Sequence, residues 1–193
     1  IVSSRAKNEE KKTAGKQGEN YTIAIAAGHN NTDNTGARTK DESLIEEKLT
    51  IKTAEKVEEL LKEYSNIKVV QTGSTSENPG GVKKQDRTKL AREANPDLCI
   101  QIHYDAGGGS GVQAIYKDGD EVSRQLAEFL SDSMANSMNL PNKGAGPDAE
   151  RAAVKSLGII ENSVTSGFPS VVTEGGFIDG EPDLGAIIVR VSS

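Results

Sequence analysis

Thr22-Ile23-Ala24-Ile25-Ala26-Ala27-Gly28-His29 is the stretch on which the fold turns. Its run of small and β-branched residues is too short for a helix and is closed by glycine, so it reads as a buried strand. Working outward, residues 67–72, 97–103, 112–116 and 170–173 read the same way, the last ending at Glu174. Between them lie helical stripes. Residues 44–64 carry Leu44, Ile45, Leu49, Ile51, Ala54, Val57, Leu60 and Leu61, which approximate a helical stripe. A second helix, 84–94, is stopped by Asn95-Pro96, and a third spans 120–138. Strand and helix alternate, which predicts one α/β domain with a mostly parallel central sheet flanked by helices.

Composition agrees. The 193 residues suit a single domain, and with no tryptophan, three phenylalanines and four tyrosines the core is expected to be aliphatic. A formal charge of −6, with lysines interspersed among glutamates, disfavours a nucleic-acid binder. The one cysteine, Cys99, rules out an internal disulfide and a cysteine-rich metal site, and it reads as a core residue. No run of 18 apolar residues is present to span a membrane. Residues 1–20, polar and without buried periodicity, are expected to form a linker or disordered arm, with the catalytic domain over 21–193.

The chain has two histidines, and each follows an apolar strand: His29 after the first, His103 after residues 97–102. Glu174 closes the last strand, and Glu46-Glu47 sit near the start of the long helix. Open α/β sheets place ligands at such strand ends. Two imidazoles and one carboxylate make a catalytic zinc site with an open position, and a further carboxylate can serve as general base and then acid. No glycine-rich phosphate loop follows the first strand, which disfavours a nucleotide-binding domain.

The wording around these residues is specific. Ile25-Ala26-Ala27-Gly28-His29-Asn30, Gly36-Ala37, Glu47-Lys48, Arg87 with Ala94-Asn95, Gln101-Ile102-His103-Tyr104-Asp105-Ala106 and Val172-Thr173-Glu174-Gly175-Gly176-Phe177-Ile178-Asp179 occur in that order. Together, over residues 21–182, they resemble the zinc-dependent N-acetylmuramoyl-L-alanine amidase family of the Amidase_3 type, which cleaves bacterial peptidoglycan. The resemblance implies a sheet of about six strands of the zinc carboxypeptidase-like type and one Zn²⁺ per chain. It implies His29, Glu47 and His103 as metal ligands, Glu47 being preferred over Glu46 because lysine follows it, and Glu174 as the catalytic residue. Arg87 is expected to be structural, bonding carbonyls or a carboxylate through its fork of donors. The implied setting is extracellular or cell-wall associated, with a peptidoglycan substrate, no nucleic acid or membrane span, and a monomeric chain. The runner-up readings are another, carboxypeptidase-like zinc peptidase and a catalytically silent wall-binding module.

Departures from the family wording are equally definite. Asn30-Asn31 replace the family's Gly-Gly after the first histidine, and Asp105 stands where the family has asparagine. The chain stops soon after 184–191, so the family's closing helix is expected to be short or missing. The glycine-rich stretch 107–111 and residues 139–150, including Lys143, could border the substrate groove.

Overall fold

Six strands form one sheet in the order β2-β1-β3-β6-β4-β5. They are β1 (Tyr21–Ala27), β2 (Ile67–Gln71), β3 (Leu98–Asp105), β4 (Val112–Tyr116), β5 (Asn142–Pro147) and β6 (Ser170–Phe177). The computed structural model describes residues 15–16, 18–29, 34–151 and 157–192. The arm expected at 1–20 falls largely outside them, and so do Asn30 and Asn31. β2, β1, β3 and β6 run parallel, whereas β4 runs antiparallel to β6 and carries β5 parallel to itself. The α/β architecture with a mostly parallel six-stranded sheet is the one expected.

Helices cover both faces. α1 (Glu46–Leu61), α3 (Glu121–Met138) and α6 (Asp183–Ser192) pack on one, while α2 (Lys84–Ala94) and the short α5 (Glu161–Thr165) pack on the other. The alternation of β3 explains the division. Ile100 and Ile102 face α1 with Ile25, Ala27, Ile51 and Ala54, and Cys99 faces α2 with Ala24 and Ala91. Cys99 is fully buried, and burial pushes its thiol up to about 12, so it is an inert core residue. Each fully buried isoleucine, such as Ile25, Ile178 or Ile187, contributes about 1.5–3 kcal/mol by leaving water.

Helix boundaries follow local chemistry. Asp120 caps α3 by accepting from the backbone N–H groups of Val122 and Ser123, both at 3.1 Å. α2 ends at Asn95 in the left-handed region, φ 43°, directly before Pro96.

Two sequence expectations need amendment. Residues 142–147 are not among the expected strands, yet they form β5 and pair with β4 at the sheet edge. The closing helix, expected to be short or missing, is the ten-residue α6. Finally, β3 and β6 run past His103 and Glu174 instead of stopping there, because a bulge places Glu174 opposite His103 but Phe177 opposite Asp105.

The glycine-rich 107–111 loop is pinned by two aspartates. Asp179 Oδ2 accepts from the N–H groups of Gly107 and Gly108. Asp183, fully buried at the start of α6, accepts from Ser110 Oγ (2.6 Å), Gly111 N (2.7 Å) and Phe177 N (3.0 Å). The loop, the end of β6 and the C-terminal helix are therefore one hydrogen-bonded unit.

Candidate metal centre

Three side chains from three elements meet at the C-terminal end of the parallel strands. His29 lies just beyond β1, His103 in β3, and Glu46 opens α1. His29 Nε2 is 2.8 Å from Glu46 Oε1, His103 Nδ1 is 3.0 Å from that oxygen, and the two ring nitrogens are 3.0 Å apart. This is the one His/Glu cluster with metal-ligand spacing among the described residues.

Local sequence builds this convergence. Gly28 approaches β3 so closely that a Cβ would lie 2.5 Å from the His103 ring and 2.6 Å from the Ile102 carbonyl. Gly36, at φ +75°, leaves room for Glu46 Oε2 and the His29 ring, where a Cβ would lie at 2.4 and 2.7 Å. Arg87, buried on α2, donates to the backbone carbonyls of His29 and Ala27 and fixes the turn that presents His29. Burial pulls its guanidinium down to about 10, which leaves it charged at neutral pH. Its structural role is the one expected.

The imidazoles are oriented from behind. Asn34 Oδ1 accepts from Gly36 N at 2.9 Å and lies 3.2 Å from His29 Nδ1, so Nδ1 carries the hydrogen and Nε2 presents a lone pair to the cluster. The Gln101 amide lies 2.9 Å from His103 Nε2 and holds that ring with Nδ1 inward. Burial favours the neutral form of His103, while the neighbouring Glu46 works the other way.

The carboxylate in the cluster is that of Glu46, not Glu47. Both are buried, at 3% and 2% exposure, so burial does not separate them. Direction does. Glu46 shares its stripe with Leu49, Thr50 and Thr53, at the i+3, i+4 and i+7 positions. Thr50 Oγ1 donates to the Gly28 carbonyl, Thr53 is 2.6 Å from the Tyr104 hydroxyl, and Leu49 packs on Tyr104, all beside the two histidines. Glu46 itself accepts from Tyr104 N through Oε1 (3.0 Å) and from Ala37 N through Oε2 (2.9 Å). Glu47, one residue and about 100° further round, follows the stripe of Ile51 and Ala54 toward β1, and its Oε1 has no hydrogen-bond partner among the described residues. The lysine after Glu47 carries no geometric information.

Glu174 stands next to the cluster on β6, directly opposite His103. Its Oε2 is buried without a hydrogen-bond partner among the described residues. Burial first, then the charges of Glu46 and Asp105, hold its carboxyl well above the usual carboxylate range. A cavity of about 410 Å³ opens beside the histidines toward α2, lined by residues that include Lys84, Arg87, Gln101 and Ile159. On the other side, Gln113 of β4 lies opposite Glu174, and its Nε2 donates to Asp105 Oδ2 at 3.2 Å.

The donor set suits zinc. Tetrahedral Zn²⁺ with ligands at about 2.0–2.1 Å spaces them roughly 3.3 Å apart, a few tenths of an ångström wider than the separations here. Three ligand atoms converge on one point, with the His29 ring held by Asn34 to present its Nε2 lone pair, an arrangement that a cation completes.

Comparison with known proteins identifies the family. Residues 23–187 match the N-acetylmuramoyl-L-alanine amidase family Amidase_3. The chain is 26% identical over 163 residues to the N-acetylmuramoyl-L-alanine amidase CwlM of Bacillus licheniformis, covering 83% of this chain and 58% of that protein. Among solved structures it resembles an N-acetylmuramoyl-L-alanine amidase of Clostridium difficile 630, with TM-score 0.74 and 22% identity, covering 88% of this chain and 87% of the other. It also resembles Cwp6 of Clostridium difficile, with TM-score 0.75 and 26% identity, covering 89% of this chain and 27% of that one. The family match extends over most of the chain and includes both histidines, Glu46 and Glu174, so the protein belongs to the N-acetylmuramoyl-L-alanine amidase family Amidase_3.

Proposed function

We propose that this chain hydrolyses the amide joining the muramic lactyl group to L-alanine in bacterial peptidoglycan, with one Zn²⁺ held by His29 Nε2, His103 Nδ1 and Glu46 Oε1. The observation that carries this is the meeting of those three atoms within 3.0 Å of one another, beside a buried carboxylate on the neighbouring strand. Family membership supplies the reaction class, and the setting that follows is the cell wall outside the membrane.

Zn²⁺ bound there would supply Lewis acidity toward the lactyl carbonyl and lower the pKa of a water. Glu174 takes a proton from the attacking water as its oxygen adds to the carbonyl carbon. Glu174 then returns that proton to the α-amine of L-alanine as the C–N bond breaks and the stem peptide departs. Asn34 and Gln101 keep the imidazoles aimed throughout, and Arg87 holds the His29 turn.

The test is digestion of purified peptidoglycan with and without a chelator, scored by new N-terminal alanine and by bound zinc per chain. Zinc-dependent appearance of that amine is expected. Release of free C-terminal amino acids instead would identify a carboxypeptidase, and no product in either arm would reject hydrolysis.

A pH dependence follows from the neighbours of Glu174. Asp105 helps to raise the Glu174 pKa, so Asp105→Asn lowers it and keeps the basic form available at lower pH. The acidic limb of kcat/KM is expected to move to lower pH in this variant, as read from a rate profile on a soluble muropeptide. An unmoved limb would show that Asp105 does not act on the base.

A further inference from the structure

The catalytic carboxylate is one member of a polar row crossing three adjacent strands. His103, Glu174 and Gln113 are consecutive lateral partners on β3, β6 and β4, and lateral partners project from the same face. The row continues beyond the last of them. Arg151, which ends the short helix α4 (Asp148–Arg151), reaches back along β5, where Gly146 makes room for it. A Cβ at Gly146 would lie 2.5 Å from Arg151 Cγ and Nε. The Arg151 guanidinium donates to Gln113 Oε1 and to the Lys143 carbonyl, each at 2.9 Å. The Lys143 ammonium lies over the Phe177 ring of β6, 4.6 Å from its centre.

The row is therefore polarised: carboxylates at Glu174 and Asp105, then a neutral amide, then a fixed arginine fork. We propose that Arg151 is a specificity-determining residue that binds a free carboxylate on the stem peptide. This rests on the amidase reading. On that reading, the amine released by cleavage forms beside Glu174, and the peptide carrying it extends along the row. One strand spacing puts Gln113 roughly 5 Å from Glu174, with the guanidinium one side chain further. An extended peptide covers about 3.5 Å per residue, so the fork meets the second or third residue of the stem. Two of its N–H groups are engaged with described residues, and a guanidinium carries five, so it has further donors to offer a carboxylate.

The probes are N-acetylmuramoyl-L-alanyl-D-isoglutamate and its isoglutamine form, which differ only in carboxylate against carboxamide, together with the corresponding free dipeptides. Cleavage is measured as kcat/KM on the first pair, and binding of the dipeptides by calorimetry, for the wild type, Arg151→Gln and Arg151→Lys. The wild type is expected to favour the acid form in both readouts. Arg151→Gln should weaken the acid form by about 10-fold or more while leaving the amide form unchanged, through KM and not kcat. Arg151→Lys, which keeps the charge and loses the fork, should retain part of the preference. Equal losses on both forms would mark a structural role and overturn the proposal, as would absence of any preference in the wild type. Failure of the amidase reading shows separately, as no cleavage of either muropeptide while the dipeptide titrations still report on Arg151.

Discussion

Glu174→Gln is expected to bind one zinc per chain as the wild type does and to lose roughly 10²–10⁴-fold in kcat, the range over which a positioned general acid–base group contributes. The substitution keeps shape and burial while removing the capacity to accept the water proton. Glu174 lies opposite His103 without touching the three converging ligand atoms, so metal content should be preserved. The loss should fall on kcat with KM nearly unchanged, because the group acts on protons in flight and not on ground-state binding. Zinc content by mass spectrometry, together with steady-state turnover of a muropeptide, checks this. Near-normal kcat would remove Glu174 from the mechanism, and loss of zinc would reassign it to the metal shell.

The second large effect separates two adjacent glutamates. Glu46→Ala is expected to weaken zinc binding by more than about 100-fold, beyond what loss of an outer-shell partner costs, and to abolish turnover. Glu47→Ala is expected to leave zinc stoichiometry and activity near wild type, since its carboxylate lies outside the cluster. Zinc affinity by competition with a chromogenic chelator reads the difference directly. The reverse pattern would restore the assignment that the lysine following Glu47 suggests.

That contrast shows where sequence was informative and where it stopped. The strands around Ile25 and Ile100 and the amphipathic stripe of α1 were legible because burial on defined faces imposes composition and period. His29 and His103 stood out because a histidine-poor chain places both beside a buried strand. The choice between Glu46 and Glu47 was not legible from helical period, since both lie on buried stripes. Which of the two joins the histidine cluster follows from which stripe meets Gly28 and Tyr104, a tertiary fact. One signal was available: Thr50 and Thr53 set a polar line through an otherwise aliphatic helix face, and that line begins at Glu46. β5 escaped because Asn142-Lys143-Gly144-Ala145-Gly146-Pro147 has almost no strand propensity, and its pairing with β4 at the sheet edge imposes the conformation. The row from Glu174 to Arg151 escaped for a related reason. Its members come from β6, β4 and α4, and only the strand order makes them neighbours.

The reversal of chain direction between β6 and β4 divides labour within the molecule. The atoms that would hold the ion come from the parallel half of the sheet and the helix beside it, locked by Arg87 and close-fitting glycines. The polar row beyond Glu174 comes from the antiparallel half and the short segments attached to it. On the proposed function, substitutions around β4, β5 and α4 would retune substrate choice in descendants of this chain without relearning chemistry, while the half that would hold the ion stayed as it is.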